Sequence, residues 1–191
     1  MRLFLVRHGE TDINKMRLVQ SWTDHPLNEI GREQAHRVGY YFKVLNKTFD
    51  FAYTSPLLRA RETGNIIMSY FKNEIPIEVD YHFIERDFGV FEHKDVDPII
   101  KMISEKGFTY PGYEDDKMLI KRIHNGLVQL YHKHPKSNII LFCHSHVIKS
   151  FLILAEPKKY NFLTRLDNAS LHEFSYDGDT LKVINFNINV T

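Results

Sequence analysis

The chain has 191 residues, 43% of them hydrophobic, which fits one domain over residues 1–191 with a substantial core. Its net charge is +1, so no overall field favours nucleic acid or an anionic membrane as a partner. The single cysteine, Cys143, excludes an internal disulfide, and we expect neither a signal peptide nor a membrane span. These features predict a cytoplasmic protein, and they leave its oligomeric state open.

The first half of the chain alternates strand and helix patterns. Asn28 is a candidate N-cap for the first helix, and Ser55 with Pro56 is a candidate N-cap with proline in the first turn of the second. Pro76 favours an edge position for its strand because proline donates no backbone hydrogen bond. The predicted elements are a strand over 2–6, a loop to about 26, a helix over 29–45, a strand over 50–53, a helix over 57–71 and a strand over 75–79.

The second half begins with an irregular, charged and aromatic stretch, 81–113, which we expect to be an excursion over the carboxyl edge of the sheet. Strands that alternate with helices predict an α/β fold, a three-layer sandwich with a mostly parallel sheet and helices on both faces. The last two strand patterns meet at Asp177-Gly178 and predict a C-terminal hairpin at the edge of the sheet. The predicted elements after the excursion are a helix with an apolar stripe over 119–130, a strand over 138–143, a helix over 147–154 and strands over 169–174 and 180–186.

Three of the apolar strand patterns run directly into residues that can bind phosphate. The first ends at Arg7 and His8, the second precedes the segment that holds Arg59, and the one over 138–143 ends at His144. The carboxyl ends of parallel strands lie at one edge of a sheet, where ligands bind. The sequence therefore predicts a pocket in which two arginines and two histidines meet, suited to a phosphate and containing its own nucleophile.

The motif Arg7-His8-Gly9-Glu10-Thr11 resembles the signature of the histidine phosphatase (phosphoglycerate-mutase-like) superfamily. Further matches occur in the family's order along nearly the whole chain, and an ordered set of this length is much more specific than Arg-His-Gly alone. These matches are Asn14, Gln20, 24–27, Gly31, 34–35, 55–63, 85–92, His144 and 168–170.

The resemblance implies a phosphohistidine mechanism, and the chemistry of the residues agrees with it. His8 would be the nucleophile, and Arg7 and Arg59 would bind the phosphoryl oxygens while keeping His8 uncharged. His144, as a cation, would stabilise charge on the transferring group. Glu85 would protonate the leaving oxygen and then deprotonate the attacking water. Positioning and electrostatic stabilisation suffice for this chemistry, so we expect neither a metal nor another cofactor.

The resemblance also indicates residues that would bind the substrate and places where this chain departs from the family. Glycine usually follows the second histidine, whereas this chain has Ser145 and then His146. His146 either lines the pocket or faces the core or solvent; in the pocket, its protonation at mildly acidic pH would strengthen binding of a dianion. The candidate substrate-binding residues are Asn14, Gln20, Ser21, Arg86 and Ser145, the last through its backbone N–H.

The function that these residues predict is a metal-independent phosphatase acting on a small phosphorylated substrate. The alternatives are a phosphoglycerate mutase, for which Arg86 after the acid is the one supporting feature, and a non-catalytic phosphate-binding regulatory module. A zinc hydrolase is disfavoured because the arginines would repel the ion and the ligand spacing is unrecognisable. The mutase is disfavoured because the stretch 93–112 is short and its cations alternate with acidic residues; these cations are Lys94, Lys101 and Lys106. The sequence leaves the physiological substrate open.

Overall fold

One mixed sheet lies at the centre of the protein, whose computed structural model describes residues 1–105 and 107–190. Its strand order is β3-β2-β4-β1-β5-β6; the first four strands are parallel to one another, β5 pairs antiparallel with β1, and β6 pairs antiparallel with β5. Lys106, one of the cations considered above, lies outside the described residues. The strands are β1 (Arg2–Arg7), β2 (Phe51–Thr54), β3 (Ile77–Val79), β4 (Asn138–Cys143), β5 (Leu171–Tyr176) and β6 (Leu181–Ile188).

Helices cover both faces of the sheet, so the predicted three-layer α/β architecture is confirmed. One face packs against α5 and α6 and the other against α2 and α3, each over its own apolar cluster. The helices are α1 (Asp12–Lys15), α2 (Glu29–Val44), α3 (Leu58–Met68), α4 (Val96–Ile103), α5 (Asp116–Lys133) and α6 (Ser145–Ala155), with 3-10 turns at Tyr81–Phe83 and Gly89–Phe91. Among the described residues, no helix is long and apolar enough to cross a membrane.

The central strand β1 shows why its sequence is continuously apolar. Leu3 and Leu5 pack into the cluster beneath α5 and α6, whereas Phe4 and Val6 pack into the cluster beneath α2 and α3. Successive side chains of a strand point to opposite faces, so a strand covered on both sides needs an apolar residue at every position. The run ends at Arg7, where the chain leaves the core at the carboxyl edge.

The start of α3 differs from its prediction. Leu57, not Ser55, is the N-cap, and it makes no side-chain capping bond. The hydroxyl of Ser55 accepts from the Leu57 N–H at 3.3 Å and also contacts His144 at 2.6 Å. Ser55 is therefore held between the helix start and the end of β4, a contact across 89 residues of chain that local pattern cannot reveal.

The excursion contains α4 and both 3-10 turns, so it is more regular than its composition predicts. Phe88, Ile103 and Tyr113 from this segment pack with Val19 in a third, smaller apolar cluster. This cluster joins the excursion to the loop that follows β1. It brings the predicted acid, Glu85, and the loop after β1 to the same edge of the sheet.

Two glycines allow the loop after β1 to lie directly on the first turn of α2. A Cβ added at Gly9 would lie 2.3 Å from the Gly31 carbonyl oxygen, and one added at Gly31 would lie 2.1 Å from the Glu10 carbonyl oxygen. Both obstacles are backbone atoms, which cannot turn aside. The side chain of Asn28 caps α2 by accepting from the Gly31 N–H at 2.9 Å, as predicted, and its amide donates to Glu10 at 2.9 Å.

We predict that Gly31→Ala destabilises the fold by about 1–3 kcal/mol, the usual cost of forcing extra atoms into a packed site. It should also lower kcat, because the loop that moves carries His8. Gly39→Ala is the comparison in the same helix, since its Cβ would meet the half-buried side chain of Tyr70 and not backbone, and Gly39 does not contact the loop that carries His8. Urea unfolding and turnover of both variants measure the contrast; equal stability and activity of the two would contradict this account of the glycine pair.

Candidate active site

A cleft of about 250 Å³ opens at the carboxyl edge of the parallel strands. Arg7 ends β1 and His8 follows it, Arg59 lies in the first turn of α3 after β2, and His144 lies between β4 and α6. The structure therefore brings the two arginines and two histidines to one edge of the sheet. Arg7, His8 and Arg59 line the cleft, and the fully buried ring of His144 has its centroid 5.2 Å from that of His8. Glu85, from the excursion, lines the same cleft.

His8 is oriented by a bond to its own backbone. Its Nδ1 lies 2.8 Å from the Gly9 carbonyl oxygen. A carbonyl can only accept, so Nδ1 carries the hydrogen and Nε2 keeps its lone pair. Burial, and then the charge of Arg59, hold the pKa of His8 well below its usual value. His8 is therefore a neutral imidazole at physiological pH, with one nitrogen able to attack an electrophile.

His144 is held by Ser55 and is neutral, which differs from the predicted cation. Burial, followed by the charge of Arg59, holds the pKa of His144 well below its usual value. Its Nε2 lies 2.6 Å from the Ser55 hydroxyl. The oxygen of that hydroxyl accepts from the Leu57 N–H, and its hydrogen can donate to Nε2 of His144. In that arrangement His144 carries its proton on Nδ1, a buried atom with no hydrogen-bond partner among the described residues.

The two arginines are anchored by backbone carbonyls. Arg59 is fully buried and donates to the carbonyls of Ser21 at 2.8 Å and Thr23 at 3.3 Å, while Arg7 donates to that of Leu166 at 2.6 Å. Burial lowers the pKa of Arg59 to about 10, against the opposing attraction of Glu85, and also lowers the pKa of Arg7. Arg59 thus stays charged at neutral pH, and carbonyl anchors leave the positive charge of both groups available to an anion.

Glu85 is a buried carboxylate, 5% exposed. One oxygen accepts from the Arg86 backbone N–H at 2.8 Å; the other accepts from the His146 backbone N–H at 3.4 Å and lies 3.9 Å from His146 Nδ1. Burial alone would raise the pKa of Glu85, but interactions with His146, His144 and the Arg86 N–H hold it well below its usual range. The group is therefore ionised in the free protein.

The backbone around Glu85 is fixed by a second set of contacts. Trp22 Nε1 donates to the Glu85 carbonyl at 2.8 Å, and Arg122 donates to the same oxygen at 3.3 Å. Arg122 also donates to the carbonyl of Ile84 at 2.8 Å and pairs with Glu114 at 2.7 Å. These bonds fix the backbone at Glu85, although the segment around it is irregular. Only the side-chain rotations of Glu85 are then left to set the position of the carboxylate.

The predicted substrate-binding residues divide into two groups. Asn14, Gln20 and Ser145 line the cleft, and Gln20 Nε2 is buried without a partner among the described residues. The side chains of Ser21 and Arg86 are engaged elsewhere. The Ser21 hydroxyl donates to the Arg86 carbonyl at 3.2 Å and accepts from a backbone N–H of the excursion at 2.9 Å.

Arg86 follows Glu85 in sequence, but its side chain points away from the cleft. The guanidinium group bonds to the Tyr113 hydroxyl, pairs with Asp116 at 2.7 Å and lies 4.2 Å from the centroid of the Phe162 ring. It contributes to the wall of a neighbouring cavity.

His146 lines the cleft, which resolves its two predicted placements. Its ring stands edge-on to Phe88 at 5.1 Å and stacks on Phe162 at 5.6 Å. Burial, and then the charge of Lys149, lower the pKa of His146 to about 3, against the opposing effect of Glu85. His146 therefore stays neutral in mild acid, and the predicted gain in dianion binding through its protonation does not follow.

Lys149 lines the cleft although its sequence context did not predict it as a site residue. This residue of α6 is 8% exposed, with Nζ donating to the Phe162 carbonyl at 2.8 Å. A signal was present: Lys149 is the one charged residue among the apolar positions 147–154, one helical turn after Ser145. Arg165, in the segment before β5, also lines the cleft and was likewise not predicted.

Unpartnered buried polar atoms are concentrated at this edge of the sheet. Within residues 1–105 and 107–190 they belong to Arg7, Gln20, Arg59, Arg86, His144 and His146. Buried polar groups normally have partners, so a cluster without them marks a place built to bind something polar. The same part of the chain holds no group of three or more His, Cys, Asp or Glu arranged for a metal ion, and burial raises the pKa of the Cys143 thiol well above its usual value.

This fold and cleft define a class: an α/β protein with a cationic, histidine-containing site for phosphate at the ends of its parallel strands. The family model of the histidine phosphatase superfamily (branch 1) matches residues 3–189, so the chain belongs to that superfamily. An uncharacterized phosphatase of Bacillus subtilis (strain 168), PhoE, is 34% identical over 188 residues, covering 97% of this chain and 93% of the relative.

Phosphoglycerate mutases match a smaller part of the chain in sequence. The 2,3-bisphosphoglycerate-dependent phosphoglycerate mutase of Treponema denticola is 44% identical over 90 residues, which cover 47% of this chain and only 36% of the mutase. The crystal structure of phosphoglycerate mutase from Bacillus anthracis str. Sterne superimposes with a TM-score of 0.86 at 24% identity, covering 98% of this chain and 92% of that one. That structural likeness bears on the fold alone.

We predict that Ser55→Ala lowers kcat by roughly 5- to 150-fold, the loss of about 1–3 kcal/mol expected when a buried hydrogen-bond partner is removed. Without the hydroxyl, His144 is no longer held with its proton on Nδ1. The control is Ser150→Ala, which removes a buried hydroxyl bonded to the His146 carbonyl at 2.8 Å. Steady-state kinetics and unfolding of both variants distinguish an effect on the orientation of His144 from an effect on the stability of the fold. An unchanged kcat in folded Ser55→Ala would show that Ser55 does not orient His144 for the reaction.

Proposed function

We propose that this chain hydrolyses small phosphomonoesters through a phosphohistidine on His8, without a metal ion. One observation carries the proposal: His8 is a buried, neutral imidazole whose Nδ1–H is bonded to Gly9, with Arg7 and Arg59 beside it. A neutral imidazole in a cationic cleft can attack a phosphorus atom whose negative oxygens the arginines hold. The chain is a phosphatase of the histidine phosphatase superfamily, as the family match and the full-length phosphatase relative from Bacillus subtilis indicate.

In the first step the Nε2 lone pair of His8 forms the bond to phosphorus. The bond between phosphorus and the ester oxygen breaks, and Glu85 gives its proton to that oxygen, which leaves as the alcohol. Arg7, Arg59 and the Nδ1–H of His144 share the charge on the three remaining oxygens.

In the second step a water attacks phosphorus on the opposite side from His8. Glu85 takes the proton from the water, and the bond between nitrogen and phosphorus breaks. Inorganic phosphate then leaves with that proton as H₂PO₄⁻, which restores both neutral His8 and ionised Glu85. Glu85 is suited to both steps because its backbone is fixed and its carboxylate lies at the edge of the cleft beside His146.

The proton that Glu85 donates has to arrive with the substrate, because the pKa of Glu85 is low in the free protein. A phosphomonoester monoanion carries one proton on its phosphoryl group. Transfer of that proton to Glu85 leaves a dianion between the two arginines, which their charges favour. Binding therefore prepares the acid for the first step.

A mutase is the less supported alternative. It would need cations on the excursion to hold a sugar acid while it reorients, but Lys94 and Lys101 are exposed and do not line the cleft. The one arginine that favoured a mutase, Arg86, is committed to Tyr113 and Asp116. We also propose that the protein works in the cytoplasm, on a small-molecule substrate, without nucleic-acid or membrane partners.

The proposal predicts release of inorganic phosphate from several monoesters, including p-nitrophenyl phosphate, at the same rate with and without a chelator. Acid-labile, base-stable phosphate should label the protein during turnover. A test of the mutase alternative supplies 3-phosphoglycerate with a bisphosphoglycerate primer and measures both 2-phosphoglycerate and inorganic phosphate. His8→Ala is the control that should abolish label and turnover in a folded protein. Rapid formation of 2-phosphoglycerate with negligible free phosphate would instead establish a mutase.

We predict that Glu85→Gln lowers the rate on alkyl phosphates by about 10²–10⁴-fold. The loss on an aryl phosphate should be much smaller, because its leaving oxygen needs less protonation. Asp87→Asn is the matched control: Asp87 accepts from the Gly89 N–H at 2.8 Å, which an asparagine oxygen can also do. Kinetics on both ester classes check the assignment, and equal losses in Glu85→Gln would transfer the role of acid to another group.

A further inference from the structure

Two histidines outside the cleft face each other from segments that are far apart in the sequence. His25 belongs to the loop after β1, and His93 belongs to the excursion, 68 residues later. Their Nε2 atoms lie 3.1 Å apart, and their rings have centroids 5.3 Å apart at an angle of 69°. Neither residue belongs to the set that lines the cleft, so the phosphohistidine chemistry gives this pair no role.

The backbone that carries His93 is bonded to the loop after β1. The His93 N–H donates to the Val19 carbonyl at 2.8 Å, and the Val19 N–H donates to the Lys94 carbonyl at 2.8 Å. His93 itself has a φ of +62°, in the left-handed region that few residues other than glycine adopt. The imidazole is therefore presented from a defined turn, and the contacts that define this turn are made by backbone atoms.

The segment that carries His25 is bonded to the excursion and to α3. Glu92, directly before His93, accepts from the Thr23 N–H at 3.0 Å and from the Thr23 hydroxyl at 2.8 Å. Asp24, directly before His25, accepts from the Leu58 N–H at 2.5 Å. Each histidine thus follows a carboxylate residue that is anchored by hydrogen bonds, and the facing of the two rings is set by the backbone on both sides.

The separation of the two nitrogens matches what a metal ion needs. Zinc bonds to imidazole nitrogen at about 2.0–2.1 Å in a tetrahedral shell, which places two such nitrogens about 3.3 Å apart. The Nε2 atoms of His25 and His93 are within about 0.2 Å of that value. In the neutral pair one nitrogen donates a hydrogen to the other, and an ion can replace that hydrogen when both nitrogens offer lone pairs.

The surroundings of the pair differ in charge from the cleft. Two carboxylates, those of Glu92 and Asp24, act on His25 together with the guanidinium of Arg59. The formal charge of these three groups is negative, whereas arginines dominate the cleft and would repel a cation. His93 is exposed and His25 is half-buried, so water has access to complete the shell of a bound ion.

We propose that His25 and His93 form a site for one divalent transition-metal ion of the kind that imidazole favours, such as zinc, nickel or copper, with water as the remaining ligands. The site has two protein ligands, so it is distinct from the groups of three or more that residues 1–105 and 107–190 do not contain. The ion takes no part in phosphate transfer. It cross-links the loop whose carbonyls hold Arg59 to the excursion that carries Glu85.

The direct test is calorimetric titration of chelator-stripped protein with zinc and with nickel chloride. The wild type should bind one ion per chain at this site. His93→Asn removes the imidazole and supplies a residue that tolerates the left-handed conformation, and His25→Asn removes the other ligand. Each change should weaken binding by at least about 10- to 100-fold, the usual loss when even an indirect support of a metal is removed. His124→Asn, at an exposed histidine of α5, is the matched control and should leave the affinity unchanged.

Thermal unfolding distinguishes a cross-link from binding to scattered surface histidines. At a free ion concentration 100 times the Kd, the wild type should gain about 5–10 °C in Tm. His93→Gly suits the positive φ, so without metal it should melt no lower than the wild type, yet it should lose the metal-dependent gain. This variant keeps the test decisive even if His25→Asn fails to fold.

The outcomes bear on this site separately from the proposed phosphatase reaction. Equal affinity and equal thermal gain in the wild type, His25→Asn and His93→Asn would overturn the site. Loss of turnover on adding metal, to the same extent in the wild type and in His93→Asn, would place the ion in the cleft and also overturn it. A gain in Tm that requires both histidines, with turnover retained, would support it. Failure of phosphate release in metal-free protein would overturn the phosphatase reaction and leave the metal site standing.

Discussion

Positive charge buried beside a neutral imidazole is the constraint on which the rest of this protein depends. Arg59 is fully inaccessible, and its guanidinium is held by backbone carbonyls at 2.8 and 3.3 Å. A carbonyl partner satisfies a donor without cancelling its charge, whereas a carboxylate partner would cancel it. The neighbouring His8 responds by staying neutral, and a neutral histidine is the form that can act as a nucleophile.

The same charge explains why the acid has to be buried and held. Glu85 attracts both arginines, which offsets part of the cost of their burial. Burial alone would raise the pKa of Glu85, but His146, His144 and the Arg86 N–H hold it well below its usual range. Its backbone is fixed by Trp22 and Arg122, two residues from distant parts of the chain. In the proposed reaction Glu85 is ionised in the free protein and protonated in the complex. These two states are compatible, because the substrate would bring both the negative charge and the proton.

α6 contributes three residues to the wall of the cleft. Ser145, the first residue of the helix, follows His144, and Lys149 lies one turn later. Between them, His146 stands between two aromatic rings with its pKa lowered to about 3. A charged position in an otherwise apolar run is the sequence signal for Lys149.

The sequence determined the strands, most helices and the residues at the strand ends, because apolar periodicity and a basic residue after a buried strand are local properties. It gave His8, Arg7, Arg59, His144 and Glu85 as one set through their order along the chain. Only the tertiary structure decided which way individual side chains face and what charge they carry. Arg86 turns away from the cleft, Ser55 bonds to His144 across 89 residues, and His8 and His144 are both neutral. Burial and charges from distant parts of the chain fix these properties, and the local spacing of residues encodes neither burial nor distant charge.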